Sequence, residues 1–426
     1  MPREANHYLS LLFPLESQRN QVSLHLTTNP LPPCNQHNNG ISGMPTCVFN
    51  KEQLMAINRI IQLTRLQDTS PNPDTNPIGT NPNVNTNTDP NNTRDAPPLP
   101  PLPPVPLQIP PFVLFGPPGT GKTSTLIASI INLCEQFPHK RILACAPSDA
   151  AADLIAMRLI TYFESQSKQN SNTNTNSTGT GATGQKKLFR LNWWQRIKAS
   201  IPIQLLPYCY ENDGLFDIPL DGNYVVNLGA YQVIVCTCGT VGSLLYSDSI
   251  NTKPITFDVV IIDEASQALE PEVVIPVSLC RPGGVVVIAG DVNQLGPVTR
   301  TPIIKYCGVS SLQSRLLKLP YYASCLPNPN TNPNTNKPTN SDNDNDMSSA
   351  MGVFLSKNYR SHGHILKLSS KLFYNDALEQ YGDVGIINSM LGKCVYICVC
   401  VCVRIYVCLY IAVCRTDCRC LCICIY

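Results

Sequence analysis

Short apolar runs alternate with longer stretches of helical period through the middle of the chain. The runs at 112–115, 142–146, 233–236, 258–262, 285–289 and 353–355 are short and mostly apolar, and all but 233–236 are followed by Gly, Pro, Ser or Asp. Continuous apolar runs of this length predict strands buried on both faces, as in a parallel sheet. Between them the period changes. Leu54, Ile57, Ile61 and Leu66 share one face of a helix opened by Asn50-Lys51-Glu52-Gln53, and Leu126, Ile127, Ile130 and Ile131 share the inner face of a helix over 124–134. The alternation predicts an α/β fold with a mostly parallel sheet, whose ligands bind at the carboxyl ends of the strands. The loop at 116–123, Ala146-Pro147-Ser148, Thr237, Asp263-Glu264 and Gly290-Asp291 all follow predicted strand ends, so they are expected along one edge.

Composition limits how much of the 426-residue chain joins this pattern. Charged residues are 14% and proline is abundant at 38 residues. Segments 68–111, 165–187 and 326–349 are Asn-, Pro-, Thr- or Gly-rich and hold too little apolar surface to order themselves. They are expected as disordered surface loops, with the Pro97–Pro104 run a spacer or an SH3- or WW-type ligand. Net charge is +2, so any nucleic-acid binding must rest on local groups. No secretory signal is evident. Ten of the 20 cysteines crowd between Cys394 and Cys424, in alternations such as Cys398-Val399-Cys400-Val401-Cys402. Residues 395–413 are long enough to span a bilayer, interrupted by Arg404. Zinc ligands, by contrast, are usually two to four residues apart. A GT dinucleotide repeat encodes Val-Cys alternation in any frame, so the tail is expected to be translated simple-repeat DNA, with a span or metal tract as alternatives.

Candidate chemistry sits at the strand ends. Gly116-Pro117-Pro118-Gly119-Thr120-Gly121-Lys122-Thr123 has the G-x-x-x-x-G-K-T form, between a predicted strand and a predicted helix. Glycines in such a loop let backbone N–H groups converge on phosphate oxygens, and the helix start adds its positive end. Lys122 can reach the β- and γ-phosphates and the Thr123 hydroxyl can ligate Mg²⁺. The apolar run 257–262 ends in Asp263 and Glu264, the Walker B form. Asp263 would hold Mg²⁺, and Glu264 would position and deprotonate an attacking water. Gln294, in Gly290-Asp291-Val292-Asn293-Gln294, could touch the γ-phosphate or that water, or lie in a polar turn. Gln53 could read an adenine edge or close a capping box with Asn50.

The ordered set of these motifs with Ala146-Pro147-Ser148, Asp263-Glu264-Ala265-Ser266-Gln267 and Asn358-Tyr359-Arg360-Ser361-His362 resembles superfamily-one helicases of the up-frameshift type. Within them it is most similar to the Armitage and Moloney-leukemia-virus-ten-like RNA helicases. Leu372-Phe373-Tyr374 is similar to the same subgroup. The resemblance implies a RecA-like P-loop domain and ATP-driven 5′ to 3′ movement along RNA, in RNA silencing or turnover. By it, Gln53 and Tyr359 would hold adenine, and Gly116, Gly119, Thr120, Gly121, Lys122 and Thr123 the phosphates with Mg²⁺. Arg360 would touch the γ-phosphate, and Pro147, Ser148 and Thr237 the RNA backbone. Asp149 stands where these helicases usually carry Asn, and a carboxylate there is expected either to cap the next helix or to repel RNA phosphates.

The expected organisation is a linker or accessory-domain remnant over 1–45 and a RecA-like domain over 46–324 interrupted at 68–110 and 165–187. An insertion over 325–350, the start of a second RecA-like domain over 351–393 and the Cys/Val tail over 394–426 follow. On that reading the chain is an N-terminal core piece that binds ATP and hydrolyses it poorly, because a second-domain Arg normally completes the site. It is expected to be a cytoplasmic monomer, in or near ribonucleoprotein granules, with RNA and silencing or RNA-decay proteins as partners and no membrane. A different P-loop NTPase of the AAA type, or a non-enzymatic nucleotide- or RNA-binding product, is the alternative.

Overall fold

A computed structural model describes residues 49–69, 108–170, 186–193, 195–209, 228–245, 255–299, 310–325, 351–387, 394–401 and 407–414. The N-terminal segment and most of the low-complexity segments lie outside the described residues. The described chain forms, in order, α1 (Lys51–Thr69), β1 (Phe112–Phe115), α2 (Lys122–Gln136), β2 (Ile142–Ala146), α3 (Asp149–Asn170), β3 (Lys186–Arg190), β4 (Tyr231–Thr237), β5 (Phe257–Ile262), α4 (Glu270–Val277), β6 (Cys280–Gly290), α5 (Leu312–Leu316) and β7 (Gly352–Phe354). After these come β8 (Lys357–Asn358), α6 (Gly363–Phe373), β9 (Glu379–Gln380), α7 (Val384–Ile387), β10 (Cys394–Val401) and β11 (Val407–Cys414). The described residues fall into two compact units. The larger lies within Met1–Phe115, Lys122–Leu326 and Thr339–Phe354, the smaller within Gly116–Gly121, Pro327–Pro338 and Leu355–Tyr426.

The larger unit is a RecA-like α/β domain. Its seven strands run in the order β3-β4-β2-β5-β6-β1-β7, and every pair is parallel. β1 and β2 are buried at every position, and β4 at all but its last, because helices cover the sheet. That explains the continuous apolar runs: a strand covered on both faces cannot alternate polar and apolar positions. α2 buries Leu126, Ile127, Ile130 and Ile131 as its period predicts. α1 buries Ala56, Ile57, Ile60, Ile61, Leu63 and Leu66. Its far end is tied to the sheet where the Gln67 amide donates to the Asp258 carbonyl at 2.9 Å and the Lys140 ammonium donates to Gln67 Oε1 at 2.8 Å.

Three features differ from the sequence reading. β3 was hidden because Lys186, Lys187 and Arg190 interrupt its apolar pattern, as cationic residues commonly do on edge strands; among the described residues it pairs only with β4. α3 runs on to Asn170, so 165–170 are helical, and Lys186 and Lys187 belong to β3. These eight residues fall inside the segment expected as a loop, because a helix once nucleated extends cheaply into polar sequence. β7 seats Gly352–Phe354 beside β1 in the larger unit's sheet, and Leu355 begins the part assigned to the smaller unit. A new domain was expected to start at 351.

In the smaller unit, β8 pairs in parallel with β9, and α6 is capped by His362, whose Nδ1 accepts from the His364 N–H at 3.2 Å. In the tail, β10 and β11 form an antiparallel ribbon in which Cys394 pairs with Cys414 and Val401 with Val407. Among the described residues no helix is long and apolar enough to cross a membrane, and no group of three or more His, Cys, Asp and Glu could hold a metal ion.

Candidate functional site

β5 delivers two acids in different environments. Asp263 is 2% exposed, and its Oδ2 accepts from the Thr123 hydroxyl at 2.7 Å. Its Oδ1 accepts from the Glu264 N–H at 3.0 Å. Burial pushes the Asp263 carboxyl up, against the opposing effect of the Thr123 hydroxyl and the buried Lys122 ammonium. A hydroxyl and a carboxylate face to face, with a lysine in the same electrostatic environment, form the donor set that a phosphate-bound Mg²⁺ takes. Glu264 sits in the left-handed region at φ 52°, a backbone state that costs a non-glycine residue about 1–2 kcal/mol. Burial raises its carboxyl as well; Lys122 opposes that rise, Asp263 and Asp291 add to it, and the Gln267 amide donates to Oε2 at 3.2 Å. A carboxyl raised above its ordinary range is a stronger base once ionised.

At the end of β6, Asp291 is fully buried. Its Oδ2 accepts from the Gln294 amide at 2.7 Å, its Oδ1 accepts from the Asn293 N–H at 3.1 Å, and its own N–H donates to the Ser266 hydroxyl at 3.2 Å. Gln294 is thus held by a carboxylate three residues back, and Asp291 and Ser266 are supports that were quoted in the motifs without a role. A Cβ on Gly290 would lie 2.3 Å from Gln313 Oε1 and 3.0 Å from the Ser266 nitrogen, so a side chain there would push its neighbours aside. Gln53 closes the capping box in full: its N–H donates to Asn50 Oδ1 at 2.9 Å, and its Oε1 accepts from the Asn50 N–H at 3.0 Å. Of the two readings of Gln53, the structure displays the cap.

In the smaller unit the loop Gly116–Gly121 is shaped from within and braced by the Asn358–Ser361 segment. The Thr120 hydroxyl donates to the Pro117 carbonyl at 2.8 Å, and Gly119 and Gly121 take φ of 81° and 87°. The Tyr359 N–H donates to the Gly119 carbonyl at 2.8 Å. Asn358, almost fully buried, donates its amide to the Pro118 carbonyl at 2.7 Å while its Oδ1 accepts from the N–H groups of Arg360 and Ser361 at 2.9 and 2.8 Å. One amide therefore fixes both the loop and the backbone that presents Tyr359 and Arg360. Arg360 is exposed, and the Tyr359 ring meets Tyr381 edge-on at 5.5 Å.

On the other half of the sheet, β2 and β4 end together: Ala146 pairs with Thr237, and the Cys238 N–H donates to the Ala146 carbonyl at 3.0 Å. Pro147, half-buried, and Ser148, exposed, leave β2 beside Thr237. Ser148 caps α3, its hydroxyl accepting from the Ala151 N–H at 3.3 Å, and Thr237 accepts from the Thr240 N–H at 3.1 Å. Asp149 is paired with two arginines. Its Oδ1 meets Arg190 Nη2 at 2.9 Å and Arg196 Nη1 at 3.5 Å. The same arginines hold Asp153, Arg190 Nε at 2.9 Å and Arg196 Nη2 at 2.6 Å. Burial alone would raise Asp153, but Arg196 and Arg190 together hold it below the usual carboxylate range. Two acids are answered by two guanidiniums, so Asp149 belongs to a cluster with no net charge. Its partners on β3 and beyond could not be read from spacing.

A family model described as an AAA domain matches residues 106–201 and 226–302. RNA helicase Mov10l1 of Mus musculus is 33% identical over 284 residues, covering 66% of this chain and 20% of its own length. Putative helicase MOV-10 of Gallus gallus is 32% identical over 289 residues, 64% of this chain and 25% of that protein. Probable RNA helicase armi of Drosophila melanogaster is 30% identical over 287 residues, 63% of this chain and 21% of that protein. The chain thus spans about a fifth to a quarter of the length of these relatives.

Proposed function

Because the chain resembles the Armitage and Moloney-leukemia-virus-ten-like RNA helicases over about two thirds of its length, we propose that it is a nucleotide-hydrolysing core of an ATP-dependent RNA helicase. The observation that carries this reading is the Thr123 hydroxyl on Asp263 at 2.7 Å, with Glu264 the next residue. On this reading Gly119 and Gly121, in conformations that favour glycine, turn the loop's N–H groups toward phosphate oxygens, and Lys122 follows directly with its ammonium. Thr123 and Asp263 would hold Mg²⁺, which when bound neutralises phosphate charge. Glu264 orients a water whose oxygen bonds to the γ-phosphorus as the bond to the β–γ bridging oxygen breaks, and the water's proton passes to Glu264. Gln294, steadied by Asp291, and Arg360, presented by Asn358, respond to the γ-phosphate. Tyr359 holds the adenine, with Gln53 as its second contact.

RNA runs past Ser148, Pro147 and Thr237, and hydrolysis drives movement 5′ to 3′. The setting we propose is RNA silencing or turnover, in the cytoplasm and its ribonucleoprotein granules. The similarity to proteins named as RNA helicases favours this over the AAA-type alternative. The test is calorimetric titration of the full chain with Mg-ATP, together with phosphate release in the presence of RNA. Lys122→Ala removes a charge-assisted contact worth about 1.5–3 kcal/mol and should weaken binding roughly 10- to 100-fold. Glu264→Gln should keep binding and lower any hydrolysis by about 10²–10⁴. Unchanged ATP affinity in Lys122→Ala would overturn the assignment.

A further inference from the structure

We propose that Trp193 is a base-stacking contact for single-stranded RNA, set on the same strand-end edge as Ser148 and Thr237; this rests on the RNA reading above. Arg190 pairs with Val235, and the Leu191 N–H donates to the Val235 carbonyl at 2.9 Å, so the chain leaves β3 beside the end of β4, where Thr237 lies two residues on. The next turn is fastened at both ends. The Arg196 N–H donates to the Trp193 carbonyl at 2.9 Å, and the Arg196 guanidinium grips Asp153 and donates to Asn192 Oδ1 at 2.7 Å. Asp153 and Asp149 lie on the first turns of α3, immediately after Ser148. The backbone beneath Trp193 is therefore pinned to the helix that follows one RNA contact and to the strand beside the other.

Upon that frame Trp193 is 46% exposed, and Ile197 in the same turn is 73% exposed. A large flat apolar side chain half in water, on a backbone that ion pairs immobilise, is poised to receive a planar partner at little entropic cost. The surroundings suit a nucleic acid. The local carboxylates are cancelled by Arg190 and Arg196, and the exposed Lys198 lies in the same segment. Aromatic rings beside a groove that tracks the backbone are how single strands are held without reading sequence.

The chain has two tryptophans, Trp193 and Trp194, so intrinsic emission reports on this segment alone. The experiment uses the full chain with a labelled oligouridylate and an equally long abasic ribose-phosphate oligomer, read by anisotropy and by tryptophan emission. Trp193→Ala should weaken oligouridylate binding about 10- to 100-fold, the size of one lost stack, and leave abasic binding unchanged. Trp193→Phe should retain most of the affinity, and melting curves of both variants should match the parent. Equal binding of oligouridylate by Trp193→Ala and the parent overturns the stack. So does an equal loss on both oligomers, which would mark the turn as a structural or protein-facing patch. A parent chain that binds neither oligomer overturns the RNA reading itself, and the stack with it.

Discussion

Replacing Asp153 with Ala takes from two guanidiniums, one of them fully buried, the more buried of the two carboxylates they share. Removing one partner of a buried pair typically costs about 3–5 kcal/mol, so Asp153→Ala should lower the melting temperature sharply. Asp149 is 42% exposed at its side chain, and its pairing is screened by water. Asp149→Asn should cost less than about 1 kcal/mol and leave RNA affinity unchanged in a fluorescence titration, because the charge it removes is already answered. The two site acids behave in the opposite sense to Asp153. Burial raises Asp263 and Glu264, so the folded, unliganded chain binds protons that the unfolded chain has released. That contribution to stability is greatest at acid pH and is lost as pH rises from the ordinary carboxylate range through the raised folded values. Glu264→Gln should therefore raise the melting temperature of the unliganded chain at neutral pH, with the gain shrinking as the buffer is made acidic. A variant less stable than the parent at neutral pH would show that ionised Glu264 is welcome where it sits.

Among the elements, the loop 116–121 has little freedom to vary. A Cβ on Gly119 would stand 2.7 Å from Arg360 Cβ, at a φ of 81° that side chains avoid. Gly119→Ala should weaken Mg-ATP binding at least as much as Lys122→Ala, through shape and not charge, as read by calorimetry. This loop was legible in sequence because its chemistry is local: eight consecutive residues carry it. α1 and the buried strands were legible because period and apolar content follow directly from which face meets the sheet. β3 was not, because its meaning lies in Arg190, a residue that reads as surface until Asp149 and Asp153 are brought to it across a gap of about 40 positions. Asn358 escaped notice for the same reason. Its amide is an ordinary member of a motif until the Pro118 carbonyl, 240 residues away in sequence, stands at 2.7 Å from it.

For the whole molecule, the sharpest test concerns residues 394–426. Among the described residues, the ribbon of β10 and β11 pairs only with itself. Deleting 394–426 should leave the melting temperature and nucleotide affinity unchanged and improve solubility by removing ten cysteines. Sedimentation of the full chain with lipid vesicles, or recovery of stoichiometric zinc, would instead give the tail a role of its own.

The strand order has a further consequence. β2, β3 and β4 are consecutive in the chain and adjacent at one side of the sheet, while β5, β6 and β1 occupy the other. Everything proposed to touch RNA thus lies on one uninterrupted stretch, 142–245, entered after α2 and left before β5. Such a stretch is a natural cassette. Grafted from a relative with different nucleic-acid tastes, it would exchange the proposed RNA contacts while leaving the proposed nucleotide site in place, with the β2–β5 seam as the joint to match.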